Sequence, residues 1–343
     1  MRFHRRGALQ AGYVTALALG TAALAKPFRP VLGPRARVMF VNDLSGDIDG
    51  LFAAVHMILS NSVELRGIVG TGTFSPWFAD ETALRSAELA NEILRLMGRA
   101  GQVPVHVGSD RRMPGPSTPV PSAGAQAIIA EAMRTDSPLP LYVAVGGGLG
   151  EVASALLIEP RIANRFTLVW IGGDALPGGG TGETNFNIDP HAARLIYNVS
   201  ELPIWQVSRK AYATCLVSAS EIQAHVAPHG AIGAWLYARL GDVAAKSRGH
   251  LNTGETWILG DNPLVLLTAL TDWVPSGGGG NRPFLFERTQ SSHYDEVVAP
   301  LLNADGTFTA RESGRKIRIY DAIDVRTMLG DMFAKLRIND PER

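Results

Sequence analysis

The sequence predicts an α/β protein with a mostly parallel central sheet flanked by helices. From Arg37 onward, short apolar runs rich in β-branched residues alternate with longer stretches of helical periodicity. Strands and helices that alternate in this way form βαβ units, which build parallel sheets. The 343 residues are enough for one large α/β core, and no long linker divides them.

Six runs are predicted to be strands, and most are followed by a predicted helix. The strands cover residues 38–41, 65–69, 103–107, 141–145, 167–171 and 203–207. The helices cover residues 51–59, 81–97, 123–133, 150–157, 190–197 and 264–270, the last after Asn262-Pro263. Residues 277–280 predict a glycine-rich loop, 297–318 an irregular or hairpin segment turning at 303–306, and 322–336 a closing helix.

The first 25 residues predict a secretory signal peptide. Arg5 and Arg6 precede an apolar run at residues 11–24, which ends in Ala23-Leu24-Ala25. The run is shorter than the ~20 residues that span a bilayer, so no stable membrane span is expected, although an uncleaved anchor is the alternative. The paired arginines indicate twin-arginine export. We therefore predict a periplasmic or secreted protein with one catalytic domain at residues 26–343.

The charge balance and the cysteine content argue against nucleic-acid binding and against an intramolecular disulfide. The chain has 32 basic and 32 acidic residues and no block of like charge, which argues against a nucleic-acid partner. The single cysteine, Cys215, cannot form an intramolecular disulfide. A small buried apolar side chain is a more common role for such a residue than a catalytic thiol.

An acidic loop follows the first predicted strand. Asp43, Asp47 and Asp49 lie within seven residues, and an apolar helix is predicted directly afterwards. Open α/β sheets place ligands at the carboxyl ends of their strands. Clustered carboxylates repel one another unless a cation lies between them, and hard cations such as Ca²⁺ and Mg²⁺ take oxygen ligands. A solvated turn with an Asp N-cap is the alternative.

Two further segments place glycine or acid at the junction between a strand or loop and a helix. Val145 precedes the glycine run 146–148, whose backbone could cradle phosphate but fits neither a dinucleotide fingerprint nor a P-loop. Backbone carbonyls in such a run are also good ligands for a hard cation. Asp261 precedes the helix predicted at 264–270, as a ligand or as a helix cap.

A fourth segment combines a carboxylate with amides. Glu183, Asn185 and Asn187 alternate, so in an extended loop they would point the same way. Carboxylates and amides together recognise sugar hydroxyls, which need both donors and acceptors. Asp189 and Pro190 predict the N-cap and first residue of the next helix.

The four segments together resemble the nucleoside hydrolase superfamily, the inosine–uridine-preferring type and its more divergent relatives. That family has Asp-x-Asp-Pro-Gly-x-Asp-Asp after its first strand, a later Thr-Gly-Pro-Leu-Thr-Asn, then Gly-Gly followed by Glu-x-Asn-x-x-x-Asp-Pro-Glu-Ala-Ala, and finally His-Asp-Pro. Here Gly172-Gly173 precedes residues 183–193, which reproduce the spacing of the third block. The resemblance runs from about residue 38 to 270 and implies a Rossmann-like open sheet of the nucleoside hydrolase kind.

The resemblance also implies an activity and a set of site residues. The activity is calcium-dependent hydrolysis of an N-ribosidic bond in a small riboside, by a protein that is often a homodimer or homotetramer. The implied metal ligands are Asp43, Asp49, Asp261 and the backbone carbonyl of Val145, and Asp43 is also the implied general base. The implied substrate-binding residues are Asp47, Glu183, Asn185, Asn187 and Thr73.

Departures from the family pattern keep alternatives open. The spacing from Asp43 to Asp49 is one residue longer than in the family, so Asp49 could instead be the first acid of the family pair, with Gly50 as the missing second. Thr73 stands where Asn is usual, and Gly260 stands where the family has the His linked to protonation of purine leaving groups. His293 or Tyr294 are the replacements we consider for that His, and Trp257 or Trp77 could stack on a base. Hydrolysis of another glycoside and a silent calcium- and sugar-binding role both stay open.

Overall fold

The computed structural model describes residues 33–73, 82–176, 178–180, 182–246, 254–270 and 292–340. Its strands are β1 Ala36–Asn42, β2 Val63–Gly70, β3 Val105–Val107, β4 Leu141–Gly146, β5 Thr167–Ile171, β6 Ile204–Val207, β7 Leu216–Ser218, β8 Thr256–Ile258, β9 His293–Val298, β10 Leu301–Leu302, β11 Phe308–Thr309 and β12 Lys316–Ala322. Its helices are α1 Asp49–Ile58, α2 Ala83–Leu96, α3 Ala123–Ala132, α4 Gly150–Ile158, α5 Thr184–Ile188, α6 Pro190–Asn198, α7 Arg209–Tyr212, α8 Ala219–His225, α9 Gly230–Lys246, α10 Pro263–Val265 and α11 Val325–Ile338.

An eight-stranded sheet forms the centre of the protein, in the order β3-β2-β1-β4-β5-β6-β12-β9. Every neighbouring pair is parallel except β12 and β9, which are antiparallel. The prediction of a mostly parallel sheet flanked by helices is confirmed, and each of the six predicted strands is present.

Helices bury both faces of the sheet. Successive side chains of a strand point to opposite faces, so each strand contributes to both cores. In β1, Val38 and Phe40 join one apolar cluster with residues of α1, α2 and α11, among them Phe52. Met39 and Val41 join the cluster on the other face, with residues of α3, α4 and α6. Two cores therefore hold β1 in place, and the loop after it begins from a rigid position.

The chain reverses its direction of travel across the sheet between β1 and β4. The chain passes from β1 outward to β2 and β3, and β4 then lies on the other side of β1. The last residues of the two strands, Asn42 and Gly146, are register partners. Ligands of open α/β sheets bind at such a switch point, outside the carboxyl ends of the strands. The acidic loop and the glycine run both begin there.

The carboxyl-terminal part differs from its prediction. The small hairpin of β10 and β11 has its turn at residues 303–306, as predicted. At the two ends of the segment 297–318, β9 and β12 form an antiparallel pair that extends the main sheet, which agrees with the hairpin alternative and not with irregular structure. The closing helix begins at Val325 rather than residue 322, since Asp324 caps it by accepting from Thr327 N.

Only the first turn of the helix predicted at 264–270 is α-helical, and Leu266–Leu270 is π-helical. The glycine run at 277–280 lies outside the described residues, as does the predicted signal peptide. Among the helices that the structure does describe, none is long and apolar enough to cross a membrane.

Candidate active site

The loop after β1 and the loop after β4 meet through backbone contacts. The Asp43 N–H donates to the Gly146 carbonyl at 3.3 Å. Gly147 has φ +153°, and a Cβ placed on it would lie 3.1 Å from Asp43 Oδ1. A glycine at 147 therefore both adopts this backbone conformation and leaves room for the Asp43 carboxylate.

Asp261 joins the acids of the first loop from a distant part of the chain. The Asn42 amide Nδ2 donates to Asp261 Oδ2 at 2.7 Å. A Cβ on Gly50, at the start of α1, would lie 3.3 Å from Asp261 Oδ2, and a Cβ on Gly260 would lie 3.2 Å from Asp49 Oδ2. The start of α10 is therefore packed against the start of α1, and both present a carboxylate.

The pKa values of the four acids show how closely they are grouped. Burial is the largest cause that raises the pKa of each, and it raises the pKa of Asp261 to about 7. The charge of Asp261 raises the pKa of Asp43 and of Asp49 further, and Asp47 adds to each. This mutual repulsion favours a bound proton or a cation at the site.

Neutral hydrogen bonds offset part of this cost. The Thr73 side chain bonds to Asp43 and lowers its pKa, and the Trp257 side chain does the same for Asp47. Thr73 is buried and its Oγ1 lies beside Gly46, in the same loop as Asp43. Of the residues proposed for substrate or base contact, Thr73 and Trp257 therefore lie directly against the acids, whereas Trp77 lies outside the described residues.

The donor set suits a hard cation, because it consists of carboxylates beside backbone and amide oxygens. Asn42 Oδ1 is a buried oxygen beside the acids with no hydrogen-bond partner in the described part of the chain. An oxygen of this kind is available to a cation. The acids do not form a finished coordination shell: no group of three or more His, Cys, Asp or Glu side chains in the described ranges is placed to hold a metal. The types of ligand atom therefore suit a hard cation, and they are equally compatible with more than one such ion.

The residue of β4 nearest the acids is Gly146. A Cβ on Gly146 would lie 2.5 Å from Asp261 Oδ2 and 2.3 Å from Asn42 Nδ2, so only glycine fits there without a shift of these groups. Val145 lies one residue earlier, fully buried within the sheet. The role predicted for the Val145 carbonyl stays a prediction, and the geometry makes the Gly146 carbonyl a second candidate.

The segment with Glu183, Asn185 and Asn187 is helical, so the expectation of an extended loop is wrong. Glu183 caps α5. Asn185 is the second residue of α5 and donates from Nδ2 to the Ile171 carbonyl at 2.8 Å, while Asn187 is exposed. The three side chains therefore do not point the same way. Asp189 caps α6 by accepting from Ala192 N at 3.0 Å, which confirms its predicted structural role.

The Glu183 carboxylate is 1% exposed and fully engaged. Its Oε2 accepts from Gly173 N at 2.7 Å and from Phe186 N at 2.6 Å. Its Oε1 accepts from Asn185 N at 3.1 Å and from the Tyr212 hydroxyl at 2.9 Å. Burial raises the pKa of Glu183, and these four donors lower it.

Tyr212 is a site residue that the sequence reasoning missed. It ends α7, the short helix after β6, and its ring Cδ2 lies 3.2 Å from where a Cβ on Gly260 would be. It thus lies between Glu183 and the loop that carries Asp261. The available signal was its place just after the carboxyl end of a strand, at the edge of the sheet where the acids lie.

His293 and Tyr294 are not brought to the acids. Both are on β9, which is separated from β1 by β4, β5, β6 and β12. Five strand spacings amount to about 24 Å. His293 instead bonds to Asp321 at 2.7 Å, and the Tyr294 ring packs against Tyr320 in a tilted arrangement, with 5.1 Å between ring centroids. Neither residue is in place to protonate a leaving group at Asp43.

Comparison with known proteins gives a family match and a set of similar folds. The model of the family described as inosine-uridine preferring nucleoside hydrolase matches residues 40–321. A segment of 84 residues is 34% identical to the inosine-uridine preferring nucleoside hydrolase of Crithidia fasciculata, covering 24% of this chain and 25% of that protein. The chain thus spans about a quarter of the length of this curated relative.

Solved structures are similar over nearly all of their length. The purine-preferring ribonucleoside hydrolase from Gardnerella vaginalis has a TM-score of 0.65 at 14% identity, with 89% of this chain and 99% of that chain covered. An inosine-uridine preferring nucleoside hydrolase from Bacillus anthracis has a TM-score of 0.61 at 16% identity, with 88% and 99% covered. At these identities the likeness shows the fold.

Proposed function

The chain belongs to the inosine-uridine preferring nucleoside hydrolase family, and on that premise we propose that it hydrolyses the N-ribosidic bond of a small riboside. The products would be a free base and ribose. The observation that carries the proposal is the meeting of Asp43, Asp47, Asp49 and Asp261 at the switch point of the sheet. Burial raises the pKa of all four, and repulsion by neighbouring acids raises the pKa of Asp43, Asp49 and Asp261 further.

We propose that the acids hold a calcium ion. Asp43, Asp49 and Asp261 would be ligands, together with a backbone carbonyl at the end of β4, from Val145 or Gly146. Calcium accepts six to eight oxygen ligands, so when bound it would supply a centre for two vicinal ribose hydroxyls and for a water whose pKa it lowers. Asn42 would hold Asp261 in place through its 2.7 Å hydrogen bond.

Asp43 is the proposed general base. In the metal-free protein its pKa is raised by burial and by the charge of Asp261. With the ion bound, the ionised carboxylate would accept a proton from the attacking water. Departure of the base leaves positive charge on the sugar ring, as in glycoside hydrolysis. The carboxylates around the sugar favour that charge, because they are already in place before it develops.

The sugar would lie between the acids and the segment that begins at Glu183. Asp47 and Thr73 are at the acid end, and Asn185 is at the other, with one amide N–H bonded to Ile171 and an oxygen left to accept. Asn187 is exposed at the rim. We assign no leaving-group acid, because Gly260 has no side chain and His293 and Tyr294 lie on a distant strand.

Hydrolysis of another glycoside is the second candidate, since Thr73 and Gly260 depart from the family pattern at the side of the site that would meet the base. Purified protein should be incubated with purine and pyrimidine ribonucleosides, p-nitrophenyl riboside, and matched glucosides and galactosides, with free base and free sugar quantified. Release of base from ribosides alone supports the proposal. Release from a different sugar would replace it with the second candidate, and sugar binding without release would indicate a silent binding protein.

Export through a cleaved signal peptide at residues 1–25 is a further proposal, and it rests on the sequence alone. Mass spectrometry of protein recovered from the periplasm or medium of an expressing cell would test it. A mature N-terminus at Lys26 is expected, whereas an intact Met1 in the cytoplasmic fraction would contradict it.

A further inference from the structure

His56 is a buried titratable residue that the proposed reaction does not use. It lies on α1, two helical turns after Asp49 and on the same face of the helix. The segment that carries Asp261 runs along this face, because Gly260 packs against Asp49 and the Asn262 side chain bonds to the His56 ring. The helix α1 therefore supports this segment at two points.

The bond to Asp331 fixes which ring nitrogen of His56 carries the proton. His56 Nε2 lies 2.8 Å from Asp331 Oδ2, and Lys335 Nζ lies 2.5 Å from the same oxygen. Burial raises the pKa of Asp331, but the His56 hydrogen bond and the Lys335 charge outweigh it and hold that pKa below its ordinary value. Burial lowers the pKa of His56 in spite of its bond to Asp331, so the ring is neutral at neutral pH. An ionised carboxylate can only accept, so Nε2 donates to it and Nδ1 is left as an acceptor.

The Asn262 side chain depends on that acceptor for its orientation. Its amide Nδ2 lies 3.2 Å from His56 Nδ1 and 3.3 Å from Met332 Sδ. A thioether sulfur is a weak acceptor, and Asn262 Oδ1 has no hydrogen-bond partner within the described ranges. Of the two acceptors at this amide, His56 Nδ1 is the stronger, so it decides which way the Asn262 side chain points.

Asn262 belongs to the turn that presents Asp261. Its N–H donates to the Leu259 carbonyl at 3.3 Å, and its carbonyl accepts from Val265 N at 3.0 Å at the start of α10. Asn262 separates Asp261 from Pro263, whereas the family pattern His-Asp-Pro has no residue between the acid and the proline. This chain therefore anchors the turn through a side chain for which the family pattern has no equivalent position.

We propose that His56 is a positioning residue for the metal site: by accepting from Asn262, its Nδ1 holds the turn that presents Asp261. The inference rests on the proposed calcium site, and it adds to that site a residue that does not touch the ion. Asn42 orients the Asp261 carboxylate from the side of the sheet, and His56 holds the backbone of the same turn from the side of α1. An apolar side chain at position 56 would leave the Asn262 amide without its strong acceptor.

Two variants of His56 separate this role from simple packing. His56→Asn keeps an acceptor, because its Oδ1 lies near the position of the ring Nδ1. His56→Gln keeps a donor to Asp331, because its amide Nε2 lies near the position of the ring Nε2, but it offers Asn262 no acceptor. Calcium affinity of the full chain is measured by titration calorimetry, and stability in chelator by calorimetric unfolding.

His56→Gln should lose about three- to tenfold in calcium affinity, the size of one hydrogen bond, while His56→Asn should stay within about twofold of wild type. Both variants should lower the melting temperature in chelator, because each loses one buried hydrogen bond. Asn262→Ala removes the other partner and should lower calcium affinity by the same factor as His56→Gln. In the double variant the two losses should not add, because both substitutions remove the same bond.

Two results would overturn the inference while leaving the proposed function intact. The first is wild-type calcium affinity in His56→Gln. The second is an equal loss of affinity in His56→Gln and His56→Asn, which would mean that the ring acts only through packing. Should His56→Gln not fold, Asn262→Ala decides in its place, and wild-type affinity in that variant overturns the inference. Absence of calcium binding by wild type would instead overturn the proposed metal site, and the inference with it.

Discussion

Asn42 donates a hydrogen bond to Asp261 at 2.7 Å across a sequence separation of 219 residues. The bond joins the end of β1 to the start of α10, and so places the late acid against the acidic loop. Asn42 is a neutral donor, and although it lowers the pKa of Asp261, burial still raises that pKa to about 7. The site is therefore held together by a contact that orients the carboxylate without neutralising it.

Replacement of Asp43 by Asn should abolish turnover while the protein still folds. The variant loses the proposed general base and one ligand charge, and general-base catalysis alone contributes about 10²- to 10⁴-fold. In chelator, removal of one of four mutually repelling acids should leave the melting temperature unchanged or higher. Initial rates of base release and calorimetric unfolding measure the two effects. Asp242→Asn on the exposed face of α9 is the control. Near wild-type rates for Asp43→Asn would remove this residue from the mechanism.

Replacement of Gly146 by Ala should weaken the site through crowding. The added methyl would lie 2.5 Å from Asp261 Oδ2, so Asp261 or Asn42 must move. Overpacking of this kind costs about 1–3 kcal/mol, and we expect calcium affinity, measured by titration calorimetry, to fall as well. Gly241→Ala on α9 is the matched control, because nothing lies within 4 Å of its Cβ position, and it should stabilise the helix by about 0.5–1 kcal/mol. Wild-type stability and calcium affinity in Gly146→Ala would show that the strand end is not close to the acids.

Replacement of Glu183 by Ala should raise KM more than it lowers kcat. The variant loses the cap of α5 and the partner of Tyr212, and loss of a cap costs about 0.5–2 kcal/mol of stability. Asp189→Ala loses the cap of α6 and controls for this cost, since Asp189 has no proposed part in the reaction. Urea unfolding and steady-state kinetics on both variants separate stability from binding. If the two variants changed KM equally, the segment from Glu183 would have no special role in holding the sugar.

The stability of the metal-free protein should depend on Asp261 in a pH range that its pKa defines. Its pKa is raised from 3.8 to about 7 in the folded protein, so the folded state binds more protons than the unfolded state between these values. The contribution of the protonated Asp261 to the free energy of unfolding is fully present below about pH 4 and is lost as the pH rises through about 7. In chelator, the free energy of unfolding of wild type should therefore fall relative to Asp261→Asn over this range, by an amount on the order of 4 kcal/mol. Excess calcium should abolish the difference in slope, and parallel pH profiles in chelator would contradict the assignment.

The position of the acids could be predicted from the sequence, and the reason is topological. Parallel strands end at one edge of a sheet, so an acidic loop after the first strand and a glycine run after a later one were expected to meet. Asp43 and Gly146 do meet, although the chain between them contains two more strands. The cap formed by Asp189 was predictable for a different reason, because an Asp before Pro at a helix start is a local signal.

Contacts that depend on packing between distant segments could not be predicted. Glu183 and Asn185 alternate as in an extended chain. The segment is nevertheless helical, because the buried Glu183 side chain caps the helix that follows it. Tyr212 lies in no motif, and its contact with Glu183 follows from the pairing of β5 with β6. The edge strand β9 was missed because no tight turn joins it to its partner β12: the small hairpin of β10 and β11 lies between them.

The most direct test of the account is the rate of base release from a ribonucleoside, measured in excess calcium, after exhaustive chelation, and after calcium is restored. Free base is followed by chromatography and free ribose by a reducing-sugar assay. We predict release in calcium, loss in chelator and recovery on re-addition, with base and ribose in equal amounts. Equal rates in calcium and in chelator would contradict the metal-bound acidic site, and the absence of release from every riboside would contradict the hydrolase itself.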